Sequence, residues 1–222
     1  MAYSQRCHRH CAGWSNIAES DALMGFPYSG DASFELPLSS DTLFLISPGY
    51  ATGYVNYLQS ESISDSVRVT ITAGFGLDKY LEISKVCLLK HKQDQAHTYK
   101  DSNTRLTRET EERARKNEKQ RFEVTVTFPQ TSANSSLVIN NLSTDLQFFS
   151  QRFGDMSHVT FKHLSLKSVL GEISAESLSA VDAAVSTSMA PIEGTFNSSN
   201  SILLSTSNSP INVDVYLYNE RD

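Results

Sequence analysis

The sequence predicts a mainly β protein whose C-terminal part is a parallel β-solenoid with three turns of about 19 residues. Three observations predict this fold. Short segments that alternate apolar and polar residues follow one another from Ser33 onward. Related phrases recur near the C-terminus at a fixed step of 19 residues. The 222 residues are 39% hydrophobic and 20% charged, which is typical of a folded chain with a buried core.

Six segments in the first part of the chain are predicted as strands. They are rich in β-branched and aromatic residues, and Gly, Pro, Ser or Asp separates them. In one of them Val67, Val69 and Ile71 share a face, as expected of a half-buried strand. The predicted strands are Ser33–Leu38, Thr42–Ser47, Gly53–Ser60, Ser66–Thr72, Tyr80–Leu89 and Phe122–Pro129.

Two segments lack this pattern and set the predicted domain limits. Residues 1–30 show no sustained periodicity, so we expect a flexible N-terminal tail. Residues 99–121 are nearly free of apolar side chains and contain eight basic and five acidic residues between Lys100 and Arg121. This composition predicts a solvated, partly helical, charged insert. The remainder of residues 31–222 is predicted to form a single β-rich domain.

One amphipathic helix is predicted at Leu142–Gly154. Leu142, Leu146, Phe149 and Phe153 fall at positions i, i+4, i+7 and i+11, which places them on one face of a helix. We expect this helix to cover apolar surface that the strands leave open.

The C-terminal repeat relates three lines of sequence, Leu164–Ala175, Ala183–Gly194 and Ile202–Val213. One aliphatic position recurs at the 19-residue step in all three lines, and so do a second aliphatic and a hydroxyl position. These three series are Ile173, Ile192 and Ile211; Leu166, Val185 and Leu204; and Ser168, Thr187 and Thr206. Stacked parallel turns place each residue about 4.8 Å from its equivalent, so they explain why residue identity repeats. We expect an aliphatic core and hydroxyl columns along the outside, with an antiparallel β-sandwich as the alternative fold.

The order of these segments resembles a fungal family of domains of unknown function, which is similar in turn to an adhesin β-solenoid domain found in bacteria. The resemblance covers about residues 31–218 and includes "SFELPLSSDTLFLIS", "VRVTIT" and "INVDVYL". Its most specific part is the tandem "APIEGTFNSSNSILLSTSNSPI". The resemblance implies that residues 31–222 form an adhesin-like solenoid domain. It implies no established reaction and no established ligand.

Composition excludes several functional classes. The formal net charge of −6 argues against a general nucleic-acid-binding protein, which needs a basic face for phosphate contacts. The sequence has no run of eighteen apolar residues, so no transmembrane segment is predicted. The N-terminus has no apolar signal-peptide region, which predicts a cytoplasmic protein and leaves the cell surface as an alternative. No cofactor is expected.

A weak candidate metal site lies near the N-terminus in "CHRHC". Cys7, His8, His10 and Cys11 are all ligand types that zinc prefers. Four ligands within five residues cannot easily surround one tetrahedral ion, so weak binding in a flexible tail, or oxidation of Cys7 with Cys11, is expected. Cys87 is predicted to be a small buried hydrophobic residue.

A weak candidate ligand-binding site contains three tyrosines, Tyr50, Tyr54 and Tyr57, in the stretch "SPGYATGYVNY". Exposed tyrosine rings beside glycines can stack on sugar rings, although core packing of the same residues is the common alternative.

The sequence indicates no catalytic residues, so a non-enzymatic interaction domain that binds an unidentified protein or glycan is the expected function. Glu172, Glu193 and Asp214 are spaced by 21 residues, so at a step of 19 they do not form one column. His158 and His163 are predicted to be surface residues. A carbohydrate-active enzyme and an intracellular scaffold that docks through the basic insert are the alternatives.

Overall fold

Strands account for all the elements whose bounds are described. The computed structural model describes residues 8–23, 25–47, 51–77, 80, 84, 86–90, 120–131 and 136–218. The strands are β1 (His8–Ala12), β2 (Ser15–Leu23), β3 (Phe26–Pro37), β4 (Leu43–Ser47), β5 (Thr52–Ile63), β6 (Ser66–Phe75), β7 (Val86–Lys90), β8 (Gln120–Gln130), β9 (Leu137–Leu146), β10 (Phe149–Lys167), β11 (Ile173–Ser186), β12 (Ile192–Ser205) and β13 (Ile211–Leu217). The prediction of a mainly β protein is confirmed. Within these described ranges, no helix is long and apolar enough to cross a membrane.

The chain divides into two compact units whose limits differ from the predicted domain limits. One unit contains Met1–Ala32 and Gly74–Gln120, and the other contains Ser33–Ala73 and Arg121–Asp222. The segment predicted as a tail, residues 1–30, contains β1, β2 and the start of β3. Of the predicted insert, 99–121, all but Gln120 and Arg121 lies outside the described residues.

The first unit is built from antiparallel pairs. β1 pairs with β7, and β2 pairs with the first part of β3. A disulfide joins Cys11 of β1 to Cys87, which lies opposite it on β7. The indole N–H of Trp14 donates a hydrogen bond of 2.9 Å to the Ser84 carbonyl, and the same indole packs edge-on against Phe75 at 5.5 Å.

In the second unit, parallel pairing dominates the C-terminal half. The hydrogen-bonded order runs β13-β12-β11-β10-β5-β8, and every pair in this series is parallel. β10 is the branch point. Its first part, Phe149–Phe153, pairs with β5, whereas Val159–Lys167 pairs with β9, and β9 pairs in turn with β4.

The register of these parallel pairs follows the 19-residue step. Ile173 lies opposite Ile192, and Ile192 lies opposite Ile211. Leu166, Val185 and Leu204 form the second predicted column. The predicted stacking of equivalent residues on parallel strands is therefore confirmed for both aliphatic columns.

The hydroxyl column differs from the prediction. Thr187 Oγ1 lies 3.3 Å from Thr206 Oγ1, as expected of stacked hydroxyls. However, Ser168 and Thr187 are buried at the turns and do not line the outside. Ser168 Oγ accepts a hydrogen bond from the Gly171 amide, and the Thr187 hydroxyl donates to the Ala190 carbonyl. These hydroxyls satisfy turn backbone that would otherwise be buried without partners.

The predicted helix at Leu142–Gly154 is wrong, because this segment forms the end of β9 and the start of β10. Leu142 and Leu146 are buried at alternate positions of β9, and Phe149 and Phe153 are buried in the same way on β10. The two residues between the strands shift the buried positions from even to odd numbers. This shift converts two period-two patterns into an apparent helical stripe.

A buried polar cluster lies between β5, β9 and β10. The Gln151 side-chain carbonyl accepts hydrogen bonds from the Tyr57 hydroxyl at 3.2 Å and the Thr144 hydroxyl at 2.9 Å. The Gln151 amide group donates to the Lys167 carbonyl at 3.1 Å. Gln151, Tyr57 and Thr144 are all buried, so water does not reach their side-chain polar groups. These groups depend on one another for hydrogen-bond partners.

We expect Ile192→Ala to lower the free energy of unfolding by about 2–5 kcal/mol, because it opens a cavity in a fully packed column. The matched variant Ile211→Ala changes a partly exposed residue of the same column and is expected to cost less than about 1 kcal/mol. Urea denaturation measures both values. Equal losses for the two variants would contradict the described packing.

Gln151→Ala is expected to lower the free energy of unfolding by about 2–4 kcal/mol, since it leaves the Tyr57 and Thr144 hydroxyls buried without their partner. Gln147→Ala, which truncates an exposed glutamine in the adjoining turn, is the control and should be nearly neutral. The same denaturation assay tests the pair. A neutral Gln151→Ala variant would show that the cluster does not form.

Candidate functional site

A groove of about 580 Å³ crosses five parallel strands of the second unit, β5, β10, β11, β12 and β13. Each strand contributes at least one polar residue to its lining, and one from each strand falls in a single row. In order across the sheet these are Asn56, Arg152, Ser174, Glu193 and Asn212. Each lies opposite the next in the strand register. We call these five residues the polar row.

The polar row exists because the strands are parallel and in register. Ser174, Glu193 and Asn212 are separated by the same 19 residues as the isoleucines of the aliphatic column, which precede them by one position. Adjacent strands are about 4.8 Å apart, so the row presents a guanidinium, a hydroxyl, a carboxylate and two amides at a short regular spacing. Such a row can hydrogen-bond several groups of one extended ligand.

Gly194 lines the groove at a point where two neighbouring strands approach closely. Its φ angle is +110°, a value that other residues rarely adopt. A Cβ atom at this position would lie 1.8 Å from the Ala175 carbonyl oxygen on the neighbouring strand. The glycine therefore permits close approach of β11 and β12 beneath the groove.

Among the described residues, three carboxylates line the groove, Glu176, Glu193 and Asp214, whereas Arg152 is the only Arg or Lys that does so. Glu193 lies opposite Asn212, and Asp214 lies opposite Thr195, which is two residues further along β12. From strand spacing and rise, the backbones of Glu193 and Asp214 are about 8 Å apart. As predicted, these two carboxylates do not stack on each other, and Glu172 is not a lining residue.

A second groove, of about 490 Å³, contains a histidine, an aspartate and a serine in one row of the second unit. His163 lies opposite Asp182, and Asp182 lies opposite Ser201. His163 Nδ1 is 3.4 Å from Asp182 Oδ2, and the Ser201 hydroxyl donates a hydrogen bond of 2.6 Å to Asp182 Oδ1. Because the carboxylate lies between serine and histidine, the histidine does not contact the hydroxyl that it would have to deprotonate.

The Asp182 carboxylate is held in its ionised form by its neighbours. Hydrogen bonds from Ser201 and Asn200 lower the pKa of Asp182 from its ordinary value of 3.8, and His163 contributes in the same direction. The row is thus a set of surface hydrogen bonds and not a nucleophile activated by a base.

Two tyrosines of the predicted ligand-binding site, Tyr54 and Tyr57, lie on β5. Tyr57 is 0% exposed, stacks on Phe153 at 4.0 Å and hydrogen-bonds Gln151, which is the core packing that the sequence left as the alternative. Tyr54 is half-buried, with the Arg121 guanidinium 5.5 Å from its ring, and burial together with the Glu123 carboxylate raises its pKa. Tyr50 lies outside the described residues.

One of the four predicted metal ligands, Cys11, lies in a disulfide. Cys11 forms a disulfide with Cys87 instead of with Cys7, so its sulfur is not a free thiolate and Cys87 is not a simple hydrophobic residue. Cys7 lies outside the described residues, and His8 and His10 are placed on β1 opposite Lys90 and Leu88. In the ranges that the structure describes, no group of three His, Cys, Asp or Glu residues could hold a metal ion.

The polar row is not among the sites predicted above, although the repeat contains a signal for it. Extending the 19-residue step to every position of the repeat gives Ser174, Glu193 and Asn212 directly. Arg152 and Asn56 could not be found in this way, because both residues lie outside the repeated lines.

Comparison with known proteins adds no further assignment. No protein-family model matches the chain, and neither the curated proteins nor the solved structures include a significant match.

Above its ordinary pKa of 3.8, Asp182 is ionised in both the folded and the unfolded chain, and its hydrogen bonds stabilise the folded state. That contribution is lost as the pH falls through the lowered pKa of the folded state. We therefore expect Asp182→Asn to destabilise the protein at pH 7 and to differ less from the wild type at a pH well below 3.8.

Urea denaturation at the two pH values measures this difference. Glu61→Gln, at an exposed carboxylate on β5, controls for the loss of one negative charge. If Asp182→Asn destabilises the protein equally at both pH values, the ionised Asp182 carboxylate is not the source of the stabilisation.

Proposed function

We propose that this chain is a non-enzymatic, adhesin-like β-solenoid domain that binds an extended glycan through the polar row. The observation that carries the proposal is the alignment of Asn56, Arg152, Ser174, Glu193 and Asn212 across five parallel strands. Amide, hydroxyl and carboxylate groups are suitable hydrogen-bonding partners for sugar hydroxyls.

The solenoid is supported by the return of the chain to the same register after each 19 residues. β10, β11, β12 and β13 follow one another in sequence and are all parallel. A parallel neighbour requires the chain to travel back between strands, and a coil achieves this through its second face. Both parts of β11, before and after its register shift, pair with β12, as two faces of one coil would. An antiparallel β-sandwich would not pair successive strands in parallel at a fixed step.

Binding by the groove is favoured over binding by the tyrosines. The groove is open, and its hydrogen-bonding groups belong to strands whose register is fixed by the core columns beneath them. Preorganised polar groups lose little conformational freedom on binding, which favours affinity. Phe153 is buried beneath the groove, so hydrogen bonding rather than aromatic stacking would supply the specificity.

An extracytoplasmic location fits this proposal better than the predicted cytoplasmic one. The chain has a disulfide between Cys11 and Cys87. Disulfides persist in oxidising compartments and are rare in the cytosol. A domain that binds glycans outside the cell would fold in such a compartment. We therefore favour the cell surface, the alternative that the sequence left open.

Glu193→Ala is expected to weaken binding of a retained glycan at least about tenfold, because it removes a charged hydrogen-bond acceptor from the centre of the row. Glu61→Ala removes an exposed carboxylate outside the groove and should bind like the wild type. A glycan array followed by calorimetry on the retained glycan measures both. Absence of any retained glycan at micromolar protein, or equal binding by the two variants, would contradict the proposal.

A carbohydrate-active enzyme is the second candidate, and one observation favours it. Glu193 and Asp214 both line the groove, and strand spacing and rise place their backbones about 8 Å apart. Side chains from backbones at this separation can bring two carboxyl groups to the roughly 6.5–9.5 Å that inverting glycosidases use. Assay of new reducing ends on the retained glycan separates the two candidates. We expect no cleavage; cleavage that is lost in both Glu193→Gln and Asp214→Asn would favour the enzyme.

A further inference from the structure

Strand β13 exposes apolar side chains at positions that are buried on the strand before it. Ile211 is 42% exposed, whereas Ile192, its register partner on β12, is fully buried. Val215 is 41% exposed, whereas its partner Phe196 is 1% exposed. Leu217 is 71% exposed. The aliphatic column of the repeat therefore ends in an uncovered strand.

The outer backbone edge of β13 is also open. At the two ends of β13, the Pro210 carbonyl accepts from the Ile192 amide of β12, and the Tyr218 amide donates to the Ser198 carbonyl of β12. The even-numbered residues of β13 therefore direct their backbone groups toward β12. Since these groups alternate in a parallel ladder, residues 211, 213, 215 and 217 direct theirs to the opposite side. Among the described strands, only β12 pairs with β13.

This edge lacks the features that usually prevent pairing with another chain. Ile211–Leu217 contains no Pro, Lys or Arg, and it runs beside β12 without a register shift. Exposed edge strands in soluble proteins are commonly protected by such residues or by bulges. Asp214 is the only charged residue of the strand.

We propose that β13 is a dimerisation edge, which pairs antiparallel with β13 of a second copy of this chain about a two-fold axis at Val215. An isologous pair uses the same edge on both copies and closes the assembly at two. Antiparallel addition satisfies the open backbone groups and places the two uncovered aliphatic faces on the same side of a continuous sheet.

The sequence of β13 selects this register. Because the odd-numbered residues carry the open backbone groups, the two-fold axis must pass at a residue and not between residues. An axis at Asp214 would set two carboxylates directly opposite each other, which is destabilising. An axis at Val215 instead sets Asp214 opposite Tyr216 of the second copy and Val213 opposite Leu217. This register keeps Asp214 away from Asp214 of the second copy. It also pairs Leu217, the most exposed aliphatic residue of the strand, with Val213.

Cysteine cross-linking in the full chain tests the register, with Cys7→Ser introduced to remove the other cysteine outside the disulfide. Val215→Cys is expected to form a disulfide-linked dimer, because opposite Cα atoms of an antiparallel hydrogen-bonded pair lie about 5.5 Å apart, within disulfide range. Val213→Cys is the matched control, because it leaves the Asp214 carboxylate in place. Its two copies would lie about 14 Å apart in this register and should stay unlinked.

Sedimentation equilibrium tests the edge independently. The wild type is expected to have twice the monomer mass at micromolar concentration, and Leu217→Lys should raise the dimer dissociation constant at least about tenfold. Ile63→Lys, at a 67% exposed residue of β5, controls for the same change of chemistry and should leave the dimer intact. A monomeric wild type, open-ended oligomers, or a dimer that resists Leu217→Lys and cross-links through Val213→Cys would overturn the proposal.

Discussion

Parallel hydrogen bonding between successive C-terminal strands in one register is the constraint on which the rest of the structure depends. Two equivalent bonds illustrate it. The Ile173 amide donates to the Pro191 carbonyl, and the Ile192 amide donates to the Pro210 carbonyl 19 residues later. Once this register is set, each residue of a strand lies beside its equivalent on the next, and the side chains cannot be rearranged independently of one another.

The same register creates the core and the candidate site. Ile173 and Ile192 face inward and stack, whereas Ser174 and Glu193, one residue further on, face outward and form part of the polar row. A shift by one residue would exchange the two sets and bury a carboxylate, which is costly without a partner. The geometry of the groove is therefore a consequence of core packing, and its polar groups are fixed before any ligand arrives.

The sequence predicts the C-terminal columns well because a repeat reports register directly, through residue identity at a fixed step. It predicts the segment around Gln147 poorly, because a two-residue turn changes which positions are buried and imitates helical spacing. It also cannot show that Tyr57 is enclosed or that Cys11 meets Cys87, since both depend on strand pairings between segments far apart in the chain. Composition alone carries no information about such pairings.

Trans-hydrogen-bond scalar couplings measured by NMR test the register most directly, because they connect one amide nitrogen with one carbonyl carbon. The described register gives cross-peaks between the Ile173 nitrogen and the Pro191 carbonyl carbon, and between the Ile192 nitrogen and the Pro210 carbonyl carbon. Couplings from these two amides to any other carbonyls, and in particular to carbonyls of antiparallel neighbours, would contradict the parallel 19-residue register.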